Sequence, residues 1–354
     1  MASKRQIIAR GVPMGGGAQI PIQSMCSIPF SRFEDLKNQA LALEKAGCDI
    51  LRVSFPDEQS AEPFRALRNA LSIPLVADIH YDWRLALLAM ESGADKIRIN
   101  PGNTDKTNLK KITDEAKARR IPIRVGVNAG SLEKDLLAKY GRPTAQALAE
   151  SAQRNVELLE QFDFYDMAVS MKASHVPMMV EAYRIFAQNS PYPLHLGVTE
   201  AGTVRSGTVK SSIGIGALLL DGIGDTVRVS LTADPLEEVE TAKILLRSLG
   251  LYDQGVEVIS CPTCGRTTVN SIELANTVER EFRDIRAHVK VAVMGCVVNG
   301  SGEAKQADVG VTGANGEYVL FRGDKIIRHI SPDKILPLLR AEVEDIAKEK
   351  TQKS

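Results

Sequence analysis

The sequence is short of cysteine, balanced in charge and without a long apolar run, and each of these shortages removes a class of protein. Five cysteines in 354 residues is an odd, low count, which argues against a secreted disulfide framework and for a reducing compartment with thiols free for chemistry. Lysine plus arginine and aspartate plus glutamate each total 44, so no global field draws the chain to nucleic acid or to an anionic membrane surface. Any attraction for anions is local. Nowhere do about eighteen apolar residues run uninterrupted, and the opening MASKRQIIARG places no apolar segment behind its basic residues. These absences predict a soluble, cytoplasmic protein with neither nucleic acid nor membrane as partner. A Walker-type glycine loop is also missing; Gly15 to Gly17 lie outside the context of a nucleotide fingerprint and read as a flexible turn.

What is there is a repeating pattern. A chain of this length exceeds what one hydrophobic core usually fills, which predicts a barrel-sized domain and a smaller one. Apolar, β-branched runs begin at Pro21, Asp49, Pro74, Lys96, Pro122, Asp166, Pro193 and Thr226, with room between them for crossover helices. Eight such units in about 250 residues predict an α/β fold with an N-terminal (β/α)8 TIM barrel. Ser31 and Glu34 have capping-box spacing at the start of the first helix, and Gly47 suits a left-handed cap at its end. KAGCDILRV and ESGADKIRI echo each other at two of the helix-to-strand junctions. Past the eighth strand, SLGLYDQG is a glycine-bearing stretch suited to a linker. The expected domains are 1–254 for the barrel and 255–354 for a compact α+β module, with helices near Ser271 to Arg286 and Asp333 to Lys348.

Within the strands, side chains alternate between two faces, and one face of a barrel strand looks inward. Apolar residues alternate with Arg52 and Ser54, Arg98 and Asn100, and Arg124 and Asn128. Asp78 and His80, Ser170 and Lys172, His195 and Thr199, and Arg228, Ser230 and Thr232 keep the same spacing. If the apolar partners face the helices, these polar groups fill the interior. Ordinary barrel interiors are layers of Val, Ile and Leu, so five buried cations are costly without an anion. Pairing with carboxylates such as Asp78 and Glu200 is the plainer account, but five cations outnumber two carboxylates. Arginine forks suit diphosphate oxygens, so the pattern points to a small phosphorylated substrate. His80 and His195 are candidate acids or hydrogen-bond donors, or simply satisfied polar side chains. Glu200 in VTEAG follows the seventh strand, where a carboxylate can donate a proton or bridge to a cation. Cys26 and Cys48 read as structural.

Cys261 and Cys264 in SCPTCGR, followed by Cys296 after VKVAVMG, form a trio of thiols suited to an iron-sulfur cluster or zinc. A structural zinc site normally has a fourth Cys or His, and here only His288 and His329 remain, so the incomplete set favours a catalytic cluster. Glu303 in VVNGSGEAKQAD could return a carboxylate to the metal, although a solvent-exposed glutamate is the ordinary reading.

CPTCGRT, MGCVVNGSGEA, KIRINPGN, RVGVN, SMKAS, HLGVTEAG and VRVSLT together resemble the bacterial 4-hydroxy-3-methylbut-2-enyl diphosphate synthases (the IspG/GcpE family), over nearly the whole chain and in the same order. The resemblance implies a [4Fe-4S] cluster on Cys261, Cys264, Cys296 and Glu303. It implies reductive ring opening and dehydroxylation of 2-C-methyl-D-erythritol 2,4-cyclodiphosphate in the non-mevalonate (MEP) route to isoprenoids. It further implies a homodimer that joins the barrel of one subunit to the cluster domain of the other, and ferredoxin or flavodoxin as electron donor. Substrate contacts then fall on Arg52, Asp78, His80, Arg98, Asn100, Arg124, Asn128, Ser170, Lys172, Arg228 and Ser230, with Glu200 as proton donor and Glu303 as a replaceable ligand. The stretch TDKTNLKK after INPGN departs from the family pattern, where a glycine is expected. Two rival readings remain. One is a zinc-stabilised lyase or isomerase of phosphorylated sugars that uses Lys172 as an amine nucleophile, and the other is a non-catalytic cluster sensor.

Overall fold

A computed structural model describes residues 3–80, 82–300, 306–323 and 325–353. The chain divides into two compact units, Met1–Leu251 and Tyr252–Ser354.

The first unit opens with an antiparallel hairpin, β1 (Gln6–Ala9) and β2 (Val12–Gly15). Gly15 therefore ends a strand rather than sitting in a free turn. It has φ +88°, and a Cβ there would meet the Arg5 carbonyl at 2.4 Å, so glycine is required at this position. Six parallel strands follow in sequence order: β3 (Gln23–Met25), β4 (Ile50–Ser54), β5 (Leu75–Asp78), β6 (Lys96–Ile99), β7 (Ile123–Asn128) and β8 (Met167–Lys172). The pair β9 (His195–Leu196) and β10 (Thr226–Val227) completes the ring. Val169 bridges to Leu194 on one side, and Ile22 bridges to Val227 on the other. Each of the eight expected runs is a strand of this closed barrel, and helices such as Phe33–Lys45 and Pro235–Ser248 form the outer layer.

Alternation decides which side chains meet that layer. Leu51, Val53, Ile97, Ile99, Ile123, Val125, Val127 and Val169 are all buried, occupying the face opposite Arg52, Arg98, Arg124 and Ser170. Ile50 belongs to the other set, because it packs with Ile7, Met14, Val76 and Ala168 where the hairpin covers the N-terminal end of the barrel.

The junction echo has a mechanical cause. Asp49 accepts from the Ile22 N–H at 2.8 Å, Asp95 from the Leu75 N–H at 2.9 Å, and Asp225 from the Leu194 N–H at 2.8 Å. In each case an aspartate just ahead of one strand pins the start of a neighbouring strand. Gly47, Gly93 and Gly222 precede them with positive φ and cap the helices through the same pair of backbone hydrogen bonds. The third copy, in DGIGDTVRV, carries one more residue between its capping glycine and its aspartate, so it does not align with the other two.

The capping box at Ser31 and Glu34 does not form. A 3-10 turn, Phe30–Arg32, enters the helix first, so Arg32 occupies the N-cap without a side-chain cap bond and pairs with Asp35 at 2.7 Å. After INPGN, a 3-10 turn Pro101–Asn103 leads into the helix Lys106–Arg119, which Asp105 caps through the Asn108 N–H. That loop needs no further glycine.

The second unit is a five-stranded mixed sheet in sequence order: β11 (Val256–Ser260), β12 (Val289–Met294), β13 (Val309–Ala314), β14 (Glu317–Arg322) and β15 (Lys325–Ile330). The first three are parallel and the last two antiparallel. The helices Ser271–Glu281 and Ile335–Lys353 bury Leu274, Val278, Leu339 and Val343 against Val289, Val291, Val311 and Leu320, which gives the unit its own core.

Candidate active site

The inward face of the barrel holds a cavity of about 320 Å³, lined by Arg52, Asp78, His80, Arg98, Asn100, Asn103, Arg124, Asn128, Ser131, Lys172, Thr199, Arg228 and Ser230. Ten of the expected substrate contacts therefore meet in one place. Ser170 lies just behind, accepting from Arg124 Nη1 at 2.6 Å. Asn103, Ser131 and Thr199 are added to the set. Asn103 and Ser131 come from loops, where strand alternation gives no signal, whereas Thr199 carried the alternation all along. Glu200 does not line the cavity; it is exposed with φ +51°, one residue past Thr199.

Charge in the cavity is unbalanced. Arg52 Nε stands 3.7 Å and Arg98 Nη1 3.3 Å from the Asp78 carboxylate, with His80 Nε2 at 3.6 Å. Arg228 Nη2 lies 3.3 Å from Glu238, a buried carboxylate on the helix Pro235–Ser248 that also accepts from Ser24 Oγ and the Leu231 N–H. Glu238, not Glu200, is thus the second carboxylate of the site. Its signal was hidden because it sits on a helix rather than a strand.

Five cations still face two carboxylates. Arg124 is 2 % exposed, yet among protein atoms its Nε and Nη2 find no hydrogen-bond partner, and neither do Arg98 Nε and Arg228 Nε. Burial pushes the Arg52 guanidinium down to about 10. Burial, and then repulsion from Arg228, Arg124, Arg52 and Arg98, drives Lys172 well below the ordinary lysine range. For Asp78 burial works to raise the carboxyl, but Arg52, Arg98 and Arg124 outweigh it and hold it below its usual value. Buried donors left without acceptors are expensive, and an anion with several oxygens would satisfy them together.

Two glycines make the room. A Cβ on Gly126 would lie 2.6 Å from Arg98 Nε, and one on Gly197 would lie 2.9 Å from Lys172 Nζ. The glycines in RVGVN and HLGVTEAG are therefore part of the site's shape.

A larger cavity of about 500 Å³ lies between the loops after β3 and β4, lined by Cys26, Ser27, Ser54, Asp57 and Ser60 among others. Among the described residues no lysine or arginine lines it, which is the wrong chemistry for phosphate. Burial pushes the Cys26 and Cys48 thiols up to about 12, in keeping with a structural role.

In the second unit the thiols gather at one edge. β11 and β12 run parallel, with Ser260 opposite Val293, so Cys261 and Cys296 both emerge at the C-terminal ends of neighbouring strands. The Gly295 N–H donates to Cys261 Sγ at 3.2 Å, and the Thr268 N–H donates to the Gly295 carbonyl at 2.9 Å, tying the CPTCGRT loop to the end of β12. Gly295 has no space for a side chain, since a Cβ would sit 2.9 Å from Thr267 Cγ2. Hydrogen bonding from the Arg266 backbone lowers the Cys264 thiol. Soft thiolates with an N–H···S bond suit an iron-sulfur cluster. Among the described residues no three His, Cys, Asp or Glu side chains already close on a single metal ion. His288 precedes β12, at the opposite end from Cys296, and pairs with Glu257 at 3.2 Å; His329 is on β15, at the far edge of the sheet. Neither is placed as a fourth ligand. Glu303 lies outside the described residues.

Residues 4–243 match the GcpE TIM-barrel domain, and residues 257–345 match the GcpE protein C-terminal domain. The chain belongs to the GcpE family. Two relatives of this GcpE chain, both named 4-hydroxy-3-methylbut-2-en-1-yl diphosphate synthase (flavodoxin), come from Caldanaerobacter subterraneus subsp. tengcongensis and Fusobacterium nucleatum subsp. nucleatum. They are 52% and 51% identical, each over 98% of this chain and 98% of the relative. Among solved structures, the GcpE barrel is similar to a type I 3-dehydroquinate dehydratase from Clostridium difficile, with TM-score 0.52 and 13% identity over 69% of this chain and 97% of that one. A dihydropteroate synthase from Stenotrophomonas maltophilia gives TM-score 0.51 and 14% identity over 69% and 98%. At such identities the likeness concerns the fold alone. No described helix is long and apolar enough to cross a membrane.

Proposed function

We propose that this GcpE chain converts 2-C-methyl-D-erythritol 2,4-cyclodiphosphate to 4-hydroxy-3-methylbut-2-enyl diphosphate, as a step of the non-mevalonate route to isoprenoids. The observation that carries the reading is the convergence of Arg52, Arg98, Arg124, Lys172 and Arg228 on one cavity, in a chain 52% identical to a relative bearing that activity in its name. A volume of about 320 Å³ is at the small end of ligand pockets, a scale suited to a five-carbon diphosphate. Counted as free acids, the substrate takes up two electrons and two protons; the ring C–O bond opens and water departs.

The barrel's part is binding and orientation. Arginine forks hold the phosphoryl oxygens, Asp78 fixes Arg52 and Arg98, Ser170 fixes Arg124, and Asn100, Asn128 and Ser230 give direction to the carbon skeleton. Glu200 holds the proton delivered to the departing oxygen. Cys261, Cys264, Cys296 and Glu303 would hold a [4Fe-4S] cluster, which when bound supplies the electrons. Flavodoxin, printed in the relatives' names, is proposed as the donor. In the homodimer we propose, the cluster domain of one subunit serves the barrel of its partner, in a reducing cytoplasm.

A second reading has one observation behind it: the depression of Lys172 is what an amine nucleophile in a zinc-stabilised lyase would need. The test separates them. Anaerobically purified protein with a chemical reductant should turn over the cyclodiphosphate and contain iron and sulfide. Zinc without sulfide, and no product by mass spectrometry, would overturn the proposal.

A further inference from the structure

Beneath the cavity lies a layer of polar groups that substrate contact leaves unexplained. Lys96 occupies the inward face of β6, two residues before Arg98. It is 1 % exposed, and its Nζ rests 3.3 Å from Met14 Sδ of the closing hairpin, a weak acceptor for an ammonium. His195, also 1 % exposed, has no hydrogen-bond partner on either ring nitrogen among the protein atoms, and the Gln23 amide has none on either end. Together with Arg124 Nε and Nη2, these are unpaired polar atoms facing the barrel interior.

The charges around this layer come from nearly every strand. β4 brings Arg52, β5 brings Asp78, β6 brings Arg98, β7 brings Arg124, β8 brings Lys172, β9 brings His195 and β10 leads into Arg228. β3 and the hairpin bring the uncharged Gln23, Met25 and Met14. Among the described residues the carboxylates in that company are Asp78, already engaged by Arg52 and Arg98, and Glu238 on the helix Pro235–Ser248, already engaged by Arg228. An ammonium at Lys96 is therefore desolvated and surrounded by like charge; burial, then Arg124 and Arg52, lower it to about 7. A doubly negative ligand one layer above offsets most of that positive surplus and relieves the repulsion on Lys96.

Resting on the function proposed above, we propose that Lys96 is a charge-balancing residue, taking a proton from solvent onto Nζ as the diphosphate enters the cavity and returning it when the anion leaves. It does not touch the ligand; it acts through the field it shares with Arg124. No bond is made or broken beyond the N–H. The cyclodiphosphate has one strongly acidic proton per phosphorus, both already lost at neutral pH, so proton uptake on binding belongs to the protein.

Calorimetry tests this on the anaerobic holoprotein with the cyclodiphosphate, in buffers of differing ionisation enthalpy. At pH 8 the wild type should take up roughly one proton more per ligand than Lys96→Met, a difference that vanishes near pH 6, where Lys96 is already charged. From this group alone the wild-type Kd should weaken by up to about tenfold per pH unit above 7. Lys96→Arg keeps the charge and should bind without the extra uptake, so the test survives failure of the methionine variant to fold. Binding with no proton uptake by the wild type at pH 8, or equal uptake in wild type and variants, overturns the role of Lys96 and leaves the proposed function standing. No binding at any pH overturns both.

Discussion

Arg98 and Asp78 stand opposite each other on adjacent strands, Nη1 to Oδ1 at 3.3 Å, and among the described residues Asp78 is the one acidic residue lining the cavity. Its carboxylate thus keeps two arginines oriented while leaving most of the positive charge free for an incoming anion.

Asp78→Asn removes the shared partner of Arg52 and Arg98. Breaking a buried pair from one side costs about 3–5 kcal/mol, to be read from urea unfolding at pH 7. Because the folded carboxyl is held below its unfolded value, its contribution is complete above that unfolded value, about 3.9. It is lost as pH falls through the folded one. The gap between wild type and variant should be constant from neutral pH down to about 5 and narrow below about 4. A variant as stable as wild type at pH 7 would show that the pair carries no weight.

Arg124→Met should act in the opposite direction on stability. Arg124 is buried with two nitrogens unpartnered, so an apolar side chain of similar length should stabilise the ligand-free fold by about 1–4 kcal/mol. The same change should raise KM for the cyclodiphosphate at least tenfold. A rise in KM together with a fall in Tm would contradict the view that these cations are held in place for the ligand.

Gly126→Ala places a methyl carbon 2.6 Å from Arg98 Nε without meeting backbone. The fold should survive and Arg98 should swing aside, raising KM severalfold with little change in iron content. Wild-type kinetics would mean the arginine has another equally good position.

Cys261→Ala, Cys264→Ala and Cys296→Ala should each abolish bound iron and sulfide, from about four of each per chain to near none. Glu303→Ala should perturb the visible spectrum and cut turnover steeply. Full activity and an unchanged spectrum in the glutamate variant would remove it from the ligand set.

Glu200→Gln should leave iron, sulfide and the spectrum intact and slow turnover by about 100-fold, the usual scale of a lost proton donor. Its exposed position beside Thr199 makes this a direct test, since the fold does not depend on it. Undiminished kcat would end the proton role.

The barrel and most of the cavity were legible because alternation and charge are local properties. Arg52, Arg98, Arg124 and Lys172 announce themselves as cations among β-branched neighbours, and the structure turns them inward as that pattern demands. Glu238 was not legible, since its partner Arg228 is ten residues away and only the return of a helix over the strand end joins them. Asn103 and Ser131 belong to loops, whose paths follow from contacts such as the Gly102 N–H to Asn155 Oδ1 at 2.6 Å, fixed far along the chain. The capping box failed for a local reason, because the 3-10 turn at Phe30–Arg32 competes for the same residues.

The N-terminal hairpin packs Ile7 and Met14 over the bases of the strands, and that cover has a kinetic result. With that end covered, the cavity is approached from the C-terminal ends of the strands, where Asn100, Asn128 and Lys172 line it, so reactant and product use the same side of the barrel. A product still seated among those side chains thus keeps the next reactant from its place.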